Sequence, residues 1–125
     1  MRKIEEKIIA TLCGGSGEGV KNLSCRDRVV VYGATKNYYL WDSLLFWNNS
    51  ENCYFSARGF STKTTKSRLN AILGSFFAAS ITQKDYKWVL SWNDKNYSIN
   101  ATSIFCLKNN KLYRLGSHEE EVKPL

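Results

Sequence analysis

The stretch "FSTKTTKSRLNAIL", residues 60–73, predicts the helix around which this chain folds. Leu69, Ile72, Leu73 and Phe76 recur at the i, i+3, i+4 and i+7 spacing of one helical face, which predicts a buried apolar stripe. Hydroxyl side chains precede that stripe and supply candidate N-caps. We therefore predict a helix over residues 64–77 whose apolar face belongs to the core.

The charges at the start of this helix oppose the helix dipole. The first turn leaves backbone N–H groups unpaired and carries a partial positive charge, which favours Asp or Glu by roughly 0.3–1 kcal/mol. The sequence instead places Lys63, Lys66 and Arg68 there. One bound anion would resolve the conflict, because hydroxyls, N–H groups and cations all donate to phosphate. The alternative is that these side chains extend into solvent, at a cost under about 1 kcal/mol.

An anion or nucleic-acid site at this helix start would use the cations and polar side chains around it. The predicted contact residues are Arg58, Lys63, Thr65, Lys66, Arg68 and Asn70. A guanidinium such as that of Arg68 binds a carboxylate or a phosphate through its fork of N–H groups. Asn70 lies off the apolar stripe, and its alternative role is a hydrogen bond to a neighbouring loop.

A second basic surface is predicted downstream, where Lys84, Lys87 and Lys95 interleave with aromatic residues. Basic strands with interspersed aromatics are typical of single-stranded nucleic-acid binding, in which bases stack and the phosphates are neutralised. The alternation of lysine with tryptophan also fits an arrangement in which Trp88 and Trp92 point into the core beneath the helix. We favour that core arrangement for the two tryptophans.

The rest of the chain alternates between helical and strand periodicity. Residues 2–12 predict an amphipathic helix, and we interpret the following "CGGSGEG" as a flexible connector because it fits neither phosphate-binding glycine pattern. Residues 28–58 predict a meander, with "RVVVYG" as a strand, "ATKN" as a turn, "YYLWDSLLFW" as one long strand, "NNSEN" as a turn and "CYFSA" as a return strand. Residues 85–99 predict a hairpin that turns at "NDKN". The segments "IFCL" and "KLYRL" predict a hairpin or a helical turn.

This succession of periodicities predicts a single α+β domain over residues 1–116. Two helices would pack against a mainly antiparallel sheet, made of a meander and a hairpin, in the order α-βββ-α-ββ with a further ββ pair. The last nine residues, "SHEEEVKPL", predict a flexible acidic tail over 117–125.

The charge of the chain favours a polyanionic partner. The formal net charge is +7, and the tail contributes −2 through three Glu and one Lys, which leaves +9 on residues 1–116. A basic body attracts nucleic acid, an anionic membrane surface or an acidic protein face. Net charge is equally compatible with a role in solubility alone.

The cysteine and histidine content argues against a metal centre. Cys13, Cys25, Cys53 and Cys106 form none of the close pairs of a zinc site, and the lone His118 lies in the tail. We expect no metal and no cofactor. The chain shows no signal-peptide pattern and no apolar run of bilayer-spanning length, so we expect a cytoplasmic protein with reduced thiols and no membrane partner.

Candidates for catalytic groups are few. His118 stands beside three Glu, which is a poor setting for a positioned base, and no carboxylate pair has a suggestive spacing. Cys25 lies next to Arg26 and near Arg28, which would lower the pKa of its thiol, but no partner base is evident. The sequence favours a non-enzymatic role without deciding it.

The segment "GFSTKTTKSRLNAIL", between a meander and an aromatic hairpin, resembles a motif in a family of small proteins of tailed bacteriophages. Those proteins also begin with a short helix and carry a Thr-Thr-Lys/Arg-Ser-Arg-Leu-Asn helix start. The resemblance covers about the middle half of the chain. It implies a phage accessory protein that acts in the host cytoplasm, where such proteins often modify host machinery or block defence. It transfers no site residue.

Three functions remain open at this point. The first is a nucleic-acid-binding module that uses the cationic helix start. The alternative is an inhibitor or adaptor, of the anti-defence or host-takeover type, that binds an acidic face of a host protein. An enzyme or a sequestering protein for small phosphorylated ligands is less favoured, because general-base candidates are missing. The sequence leaves homo-oligomer formation open and does not separate DNA from RNA.

Overall fold

The computed structural model describes residues 2–14, 17–49 and 51–125, which form two helices and eleven strands. The helices are α1 (Lys3–Cys13) and α2 (Lys63–Phe77). All strand pairs are antiparallel. The predicted α+β class is therefore confirmed.

The strands form two sheets. The larger sheet has the order β1-β2-β3-β4-β5-β9-β10-β11, and the smaller sheet has the order β6-β7-β8. Strands of the larger sheet are β1 (Gly19–Asn22), β2 (Asp27–Tyr32), β3 (Thr35–Leu40), β4 (Ser43–Asn48), β5 (Cys53–Phe55), β9 (Ile104–Lys108), β10 (Lys111–Leu115) and β11 (Glu119–Val122). Strands of the smaller sheet are β6 (Ser80–Lys84), β7 (Lys87–Trp92) and β8 (Lys95–Ile99).

Helix α2 connects the two sheets through its apolar side chains. Leu69, Ile72 and Leu73 are buried, as the sequence predicts. Near the end of the helix, the ring of Phe76 lies 5.4 Å from that of Phe46 on β4. The next residue, Phe77, packs edge-on against Trp92 on β7, with ring centroids 6.2 Å apart. Helix α2 therefore packs against the apolar side chains of both sheets.

The predicted long strand "YYLWDSLLFW" is wrong, because it is two strands. Strand β3 ends at Leu40, the chain turns at Trp41 and Asp42, and β4 begins at Ser43. Trp41 has a positive φ of 55°. The two-residue turn lets β4 fold back on β3, so both strands satisfy their backbone hydrogen bonds within the sheet. The predicted turn "ATKN" is also wrong, since β3 already starts at Thr35 and the turn lies at Gly33 and Ala34.

The later hairpins agree with the sequence analysis. The β7–β8 turn has Asn93 and Asp94 at φ of 52° and 60°, and the β9–β10 turn has Asn109 and Asn110 at 53° and 57°. Two successive positive φ angles define the type I′ turn, which favours Asn and Asp because both tolerate this region. The segments "IFCL" and "KLYRL" are thus a hairpin.

The acidic segment at the end of the chain contains a strand. Residues predicted as a flexible tail form β11, which pairs with β10 in the register Arg114↔Glu120. Arg114 Nη2 lies 2.8 Å from Glu120 Oε2, and Lys108 Nζ lies 2.9 Å from Glu119 Oε1. Basic side chains of β9 and β10 therefore pair with the acidic segment at the sheet edge, where it forms a hairpin with β10 that acidic composition does not predict.

Two predicted loops fall partly on residues outside the described ranges. The glycine connector over 13–19 includes residues 15 and 16, and the "NNSEN" turn includes residue 50. The structure also contains two strands that the sequence analysis did not predict, β1 directly after the connector and β6 directly after α2.

Candidate functional site

Arg68 does not face solvent, contrary to its prediction as an anion contact. Its side chain is fully buried, and its Nε donates to Asp27 Oδ1 at 2.9 Å while its Nη1 donates to Glu5 Oε2 at 3.0 Å. Tyr38 Oη also donates to Asp27 Oδ1. The cation is thus neutralised inside the protein, and an external phosphate cannot reach it.

This buried network shifts the ionisation of its members. Burial alone would raise the pKa of Asp27, but hydrogen bonds from Arg68, Tyr38 and Ser24 outweigh it and hold the pKa below its usual value. Burial raises the pKa of Tyr38, and its hydrogen bond to Asp27 raises it further. For Arg68, burial lowers the pKa, but Asp27 and Glu5 raise it well above its ordinary value. Arg68 and Asp27 are therefore both charged at physiological pH.

Two further predicted site residues have structural partners. Thr65 is buried; its N–H is bound by the Oγ1 of the N-cap Thr62 at 3.1 Å, and the two hydroxyls lie 2.9 Å apart. Asn70 binds both backbone groups of Ile81 on β6, as donor to its carbonyl at 3.0 Å and as acceptor from its N–H at 2.5 Å. The sequence analysis named a hydrogen bond to a neighbouring loop as the alternative role of Asn70. The structure shows such a hydrogen bond, but its partner is a strand.

The remaining lysines of the helix start face outward. Lys63 is exposed at the first position of α2. One turn later, Lys66 Nζ donates to Gln83 Oε1 at 2.5 Å and lies 5.9 Å from the ring centroid of Trp88. Lys66 thus connects the start of α2 with the smaller sheet.

Lys84 and Lys87 extend this basic region across the smaller sheet. They form the last pair of the β6–β7 hairpin, adjacent to the Gln83↔Trp88 pair. Between them, Asp85 and Tyr86 make the turn, and the Tyr86 side chain is 95% exposed. We call Lys63, Lys66, Lys84, Lys87 and Tyr86 the lysine surface.

The backbone at the tip of the lysine surface is unusual for the side chain that it carries. Asp85 and Tyr86 have φ of 53° and 65°. A bulky aromatic at positive φ is an outlier, since glycine is preferred at the second position of such a turn. The hairpin therefore presents an aromatic ring to solvent at a position where neither turn geometry nor core packing calls for one.

Lys95 and the tryptophans lie elsewhere. Lys95 sits at the β7–β8 turn, opposite Trp92 and at the same end of the sheet as Phe77. This is the far end of β7 from Lys87, so the structure separates Lys95 from the lysine surface. Trp88 and Trp92 are buried, and the favoured core arrangement for them is confirmed.

Arg58 precedes α2 on the outer face of the larger sheet. Its guanidinium lies 5.2 Å from the ring centroid of Trp47, and its Nε donates to the carbonyl of Leu44 at 2.8 Å. Trp47 stacks in turn on Tyr54, with centroids 5.6 Å apart. Arg58 is exposed but anchored, and one edge of its guanidinium stays free for a further acceptor.

Charge is unevenly distributed over the surface. The β11 carboxylates pair with basic residues on β9, β10 and the C-terminal segment: Lys108, Lys111, Arg114 and Lys123. Within residues 2–14, 17–49 and 51–125, no such carboxylate pairing involves Arg58 or any lysine of the lysine surface. Positive charge without a carboxylate partner is therefore present at Arg58 and on the lysine surface, and among the described residues it is also present at Arg2, Lys3, Lys7, Lys21, Lys36 and Lys95.

The structure also describes the remaining candidate groups. The four cysteines are unpaired, with Cys13 and Cys25 exposed and Cys106 buried, and burial raises the pKa of the Cys106 thiol to about 11. Over the described ranges, no three His, Cys, Asp or Glu side chains gather as metal ligands. None of the helices described there has the length and hydropathy to cross a bilayer.

Sequence reasoning missed one concave feature beside the start of α2. A cleft of about 300 Å³ is lined by residues of three segments, among them Arg26, Trp41, Ser43, Phe60, Thr62 and Thr64. The long strand predicted from the sequence includes Trp41, whereas the break at the β3–β4 turn exposes its side chain. An aromatic residue next to Asp-Ser, a pair that favours turns, is the local signal that could have indicated this.

Comparison with known proteins identifies one family. A family model described as "Kyanoviridae Gp96 protein" matches residues 1–114. This covers both helices and ten strands in full or nearly so, and it ends before β11. No curated protein and no solved structure matches the chain.

Proposed function

Since the chain belongs to the Kyanoviridae Gp96 protein family and is thus a phage protein, we propose that it binds nucleic acid, without catalysing a reaction, through the lysine surface. The observation that carries this proposal is a set of four lysines with no carboxylate partner among the described residues, two of which flank a 95% exposed tyrosine at the β6–β7 turn. Lysines neutralise phosphates, and an exposed ring is a surface on which a base can stack.

The contacts of these lysines support a common surface. Lys66 reaches Gln83, which neighbours Lys84 and pairs across the strands with Trp88, next to Lys87. A shallow depression in front of them is lined by residues that include Ser61, Tyr86 and Lys87. A phosphodiester backbone passing along this depression would meet cations from both the helix and the hairpin. Asp85 is the acidic residue at this tip, and the flanking lysines outnumber it.

The proposal is tested by replacing Lys63, Lys66 and Lys87 with Gln in one variant. Binding of a labelled 20-nucleotide DNA or RNA strand is measured by fluorescence anisotropy at several salt concentrations. Each lost phosphate contact should reduce the slope of log affinity against log salt by roughly 0.7–0.9, so the slope should fall by about 2–3.

A matched control replaces Lys108, Lys111 and Lys123 with Gln. Both variants lose three positive charges, so they differ only in which surface loses them. The control lysines already pair with Glu119 and Glu121, and their loss should change affinity and slope much less. Equal losses in the two variants would mean that only net charge attracts the strand, and unchanged binding in the first variant would refute the lysine surface.

A second candidate is an inhibitor or adaptor that binds an acidic face of a host protein. The observation that favours it is the set of large apolar side chains exposed near cations, since tryptophan, tyrosine and arginine are enriched among the residues that dominate the binding energy of protein interfaces. Tagged protein is used to capture partners from host lysate, with and without nuclease treatment. Partners lost with nuclease favour nucleic acid, whereas a protein retained by wild type and lost by the Lys63, Lys66 and Lys87 variant favours the adaptor.

A further inference from the structure

The cleft beside α2 is walled by two exposed aromatic rings from distant parts of the sequence. Trp41 at the β3–β4 turn is 63% exposed, and Phe60 in the segment before α2 is 49% exposed. Leu40 and Leu45 contribute apolar surface between them. Single exposed apolar side chains are common on protein surfaces, but several that line one concavity are typical of an interaction site.

The backbone at Trp41 strengthens this interpretation. Trp41 has φ of 55°, in the left-handed region that disfavours bulky residues, and its N–H donates to the carbonyl of Arg26 at 2.6 Å. Glycine or asparagine would make the same turn with less strain. The chain nevertheless carries tryptophan, and its ring contributes little to the core. Such an outlier supports a functional role for the side chain.

The polar side chains around the cleft are suited to an anionic ligand that carries a flat ring. Arg26 lines the cleft, and Thr62 and Thr64 add hydroxyl groups. Lys63 lies between those two threonines in the sequence and is exposed. Of the nearby carboxylates, Asp27 is buried with Arg68 and lies 4.0 Å from Arg26, whereas Asp42 lies 3.6 Å from Arg28 with its side chain 96% exposed. Arg26 and Lys63 are the cations that would contact a phosphate at this cleft.

We propose that this cleft receives one unstacked base of a single-stranded nucleic acid, held between Trp41 and Phe60. The inference rests on the proposed function and adds to it a preference for single strands over duplex. A volume of about 300 Å³ is at the lower limit of small-molecule sites, which suits one planar ring system. A base in a duplex is paired and stacked, and would have to leave the helix before it could enter.

The test compares Trp41→Ala and Phe60→Ala with Tyr32→Ala. Tyr32 is also an exposed aromatic, but it lies at the opposite end of the β2–β3 pair from Leu40 and the cleft. Anisotropy is measured with a labelled 12-nucleotide single strand and with a hairpin duplex of the same composition. Each cleft variant should bind the single strand about 5-fold to 150-fold more weakly, the range expected for loss of one stacked base.

Salt dependence separates stacking from charge. The cleft variants should keep the wild-type salt slope, because neither ring carries a charge, while Tyr32→Ala should bind as wild type does. Trp41→Tyr, which keeps a ring, should recover most of the affinity. Binding to the single strand should also quench part of the tryptophan fluorescence, and this quenching should be lost in Trp41→Ala, since Trp88 and Trp92 are buried and Trp47 is half-buried against Tyr54.

Three outcomes would overturn the inference. Wild-type affinity in both cleft variants would mean that no base enters the cleft. Equal affinity of wild type for the single strand and the hairpin would remove the preference for single strands. If wild type binds neither probe, the proposed function and this inference both fail. If the Lys63, Lys66 and Lys87 variant loses binding but the two cleft variants do not, the proposed function holds and no base binds in the cleft.

Discussion

Arg68 and Asp27 form a buried ion pair between α2 and β2, with the Nε of Arg68 donating to the Oδ1 of Asp27 at 2.9 Å. Neither side chain is exposed to solvent. Glu5 on α1 binds the same guanidinium, so three separate elements meet at one cation. The buried guanidinium of Arg68 is tolerated because Asp27 and Glu5 neutralise it. Removal of Arg68 would leave these two carboxyl groups buried without a cationic partner.

Replacement of Arg68 by Gln should destabilise the fold by about 3–5 kcal/mol, because Asp27 and Glu5 would be left buried without their cationic partner. The free energy of unfolding is measured by urea titration. Lys63→Gln in the same helix is the control, and because Lys63 is exposed this substitution should change stability by no more than about 0.5 kcal/mol. Similar stability of the two variants would contradict a structural role for Arg68.

Stability should fall in acid through the protonation of Asp27. Because its folded-state pKa is lowered, the stabilisation is complete above the unfolded pKa of about 3.9 and is lost as the pH falls through the lower folded value. Urea midpoints between pH 6 and pH 2 test this. Asp27→Asn should be less stable at pH 6 and should show a shallower acid slope. Asp85→Asn, at an exposed turn, should retain the wild-type slope.

Truncation of Leu73 to Ala should cost about 2–5 kcal/mol, because this side chain is fully buried in the face of α2 that packs on the core. Ser75→Ala, on the exposed face of the same helix, is the matched control and should be within about 0.5 kcal/mol of wild type. A cost near zero for Leu73→Ala in urea melts would mean that this face of the helix is wrongly assigned.

The four thiols should differ in reactivity towards a disulfide reagent at pH 8. Cys13 and Cys25 are exposed and should react rapidly in the native protein. Cys106 is buried with its pKa raised to about 11, so it should react only when the protein opens. Denatured, unreduced protein should show four reactive thiols, and Cys25→Ser should remove one rapid thiol. Rapid native reaction of all four would contradict the burial of Cys106.

Local periodicity was sufficient for much of the fold. The stripe of Leu69, Ile72 and Leu73 predicts α2, and "NDKN" predicts the β7–β8 turn, whereas "KNNK" left a hairpin and a helical turn open. These features depend on neighbours in the sequence, which a pattern records directly. The strand break at Trp41 and the pairing of β11 with β10 are also local, but a tryptophan at a positive φ and a strand of acidic residues both contradict local preferences, and the sequence analysis did not predict them.

The same distinction holds for the functional residues. The sequence by itself determined that unbalanced cations surround the start of α2, and Lys63 and Lys66 are indeed on its surface. Only the tertiary structure decided that Arg68 points inward. Arg68 lies three residues after Thr65 and four before Ile72, on the buried face, and Glu5 and Asp27 occupy the apolar faces of α1 and β2. Arg68 forms an internal ion pair, and not a ligand contact, because the fold brings Glu5 and Asp27 next to it. These residues are far apart in the sequence, so no local pattern predicts that they lie together.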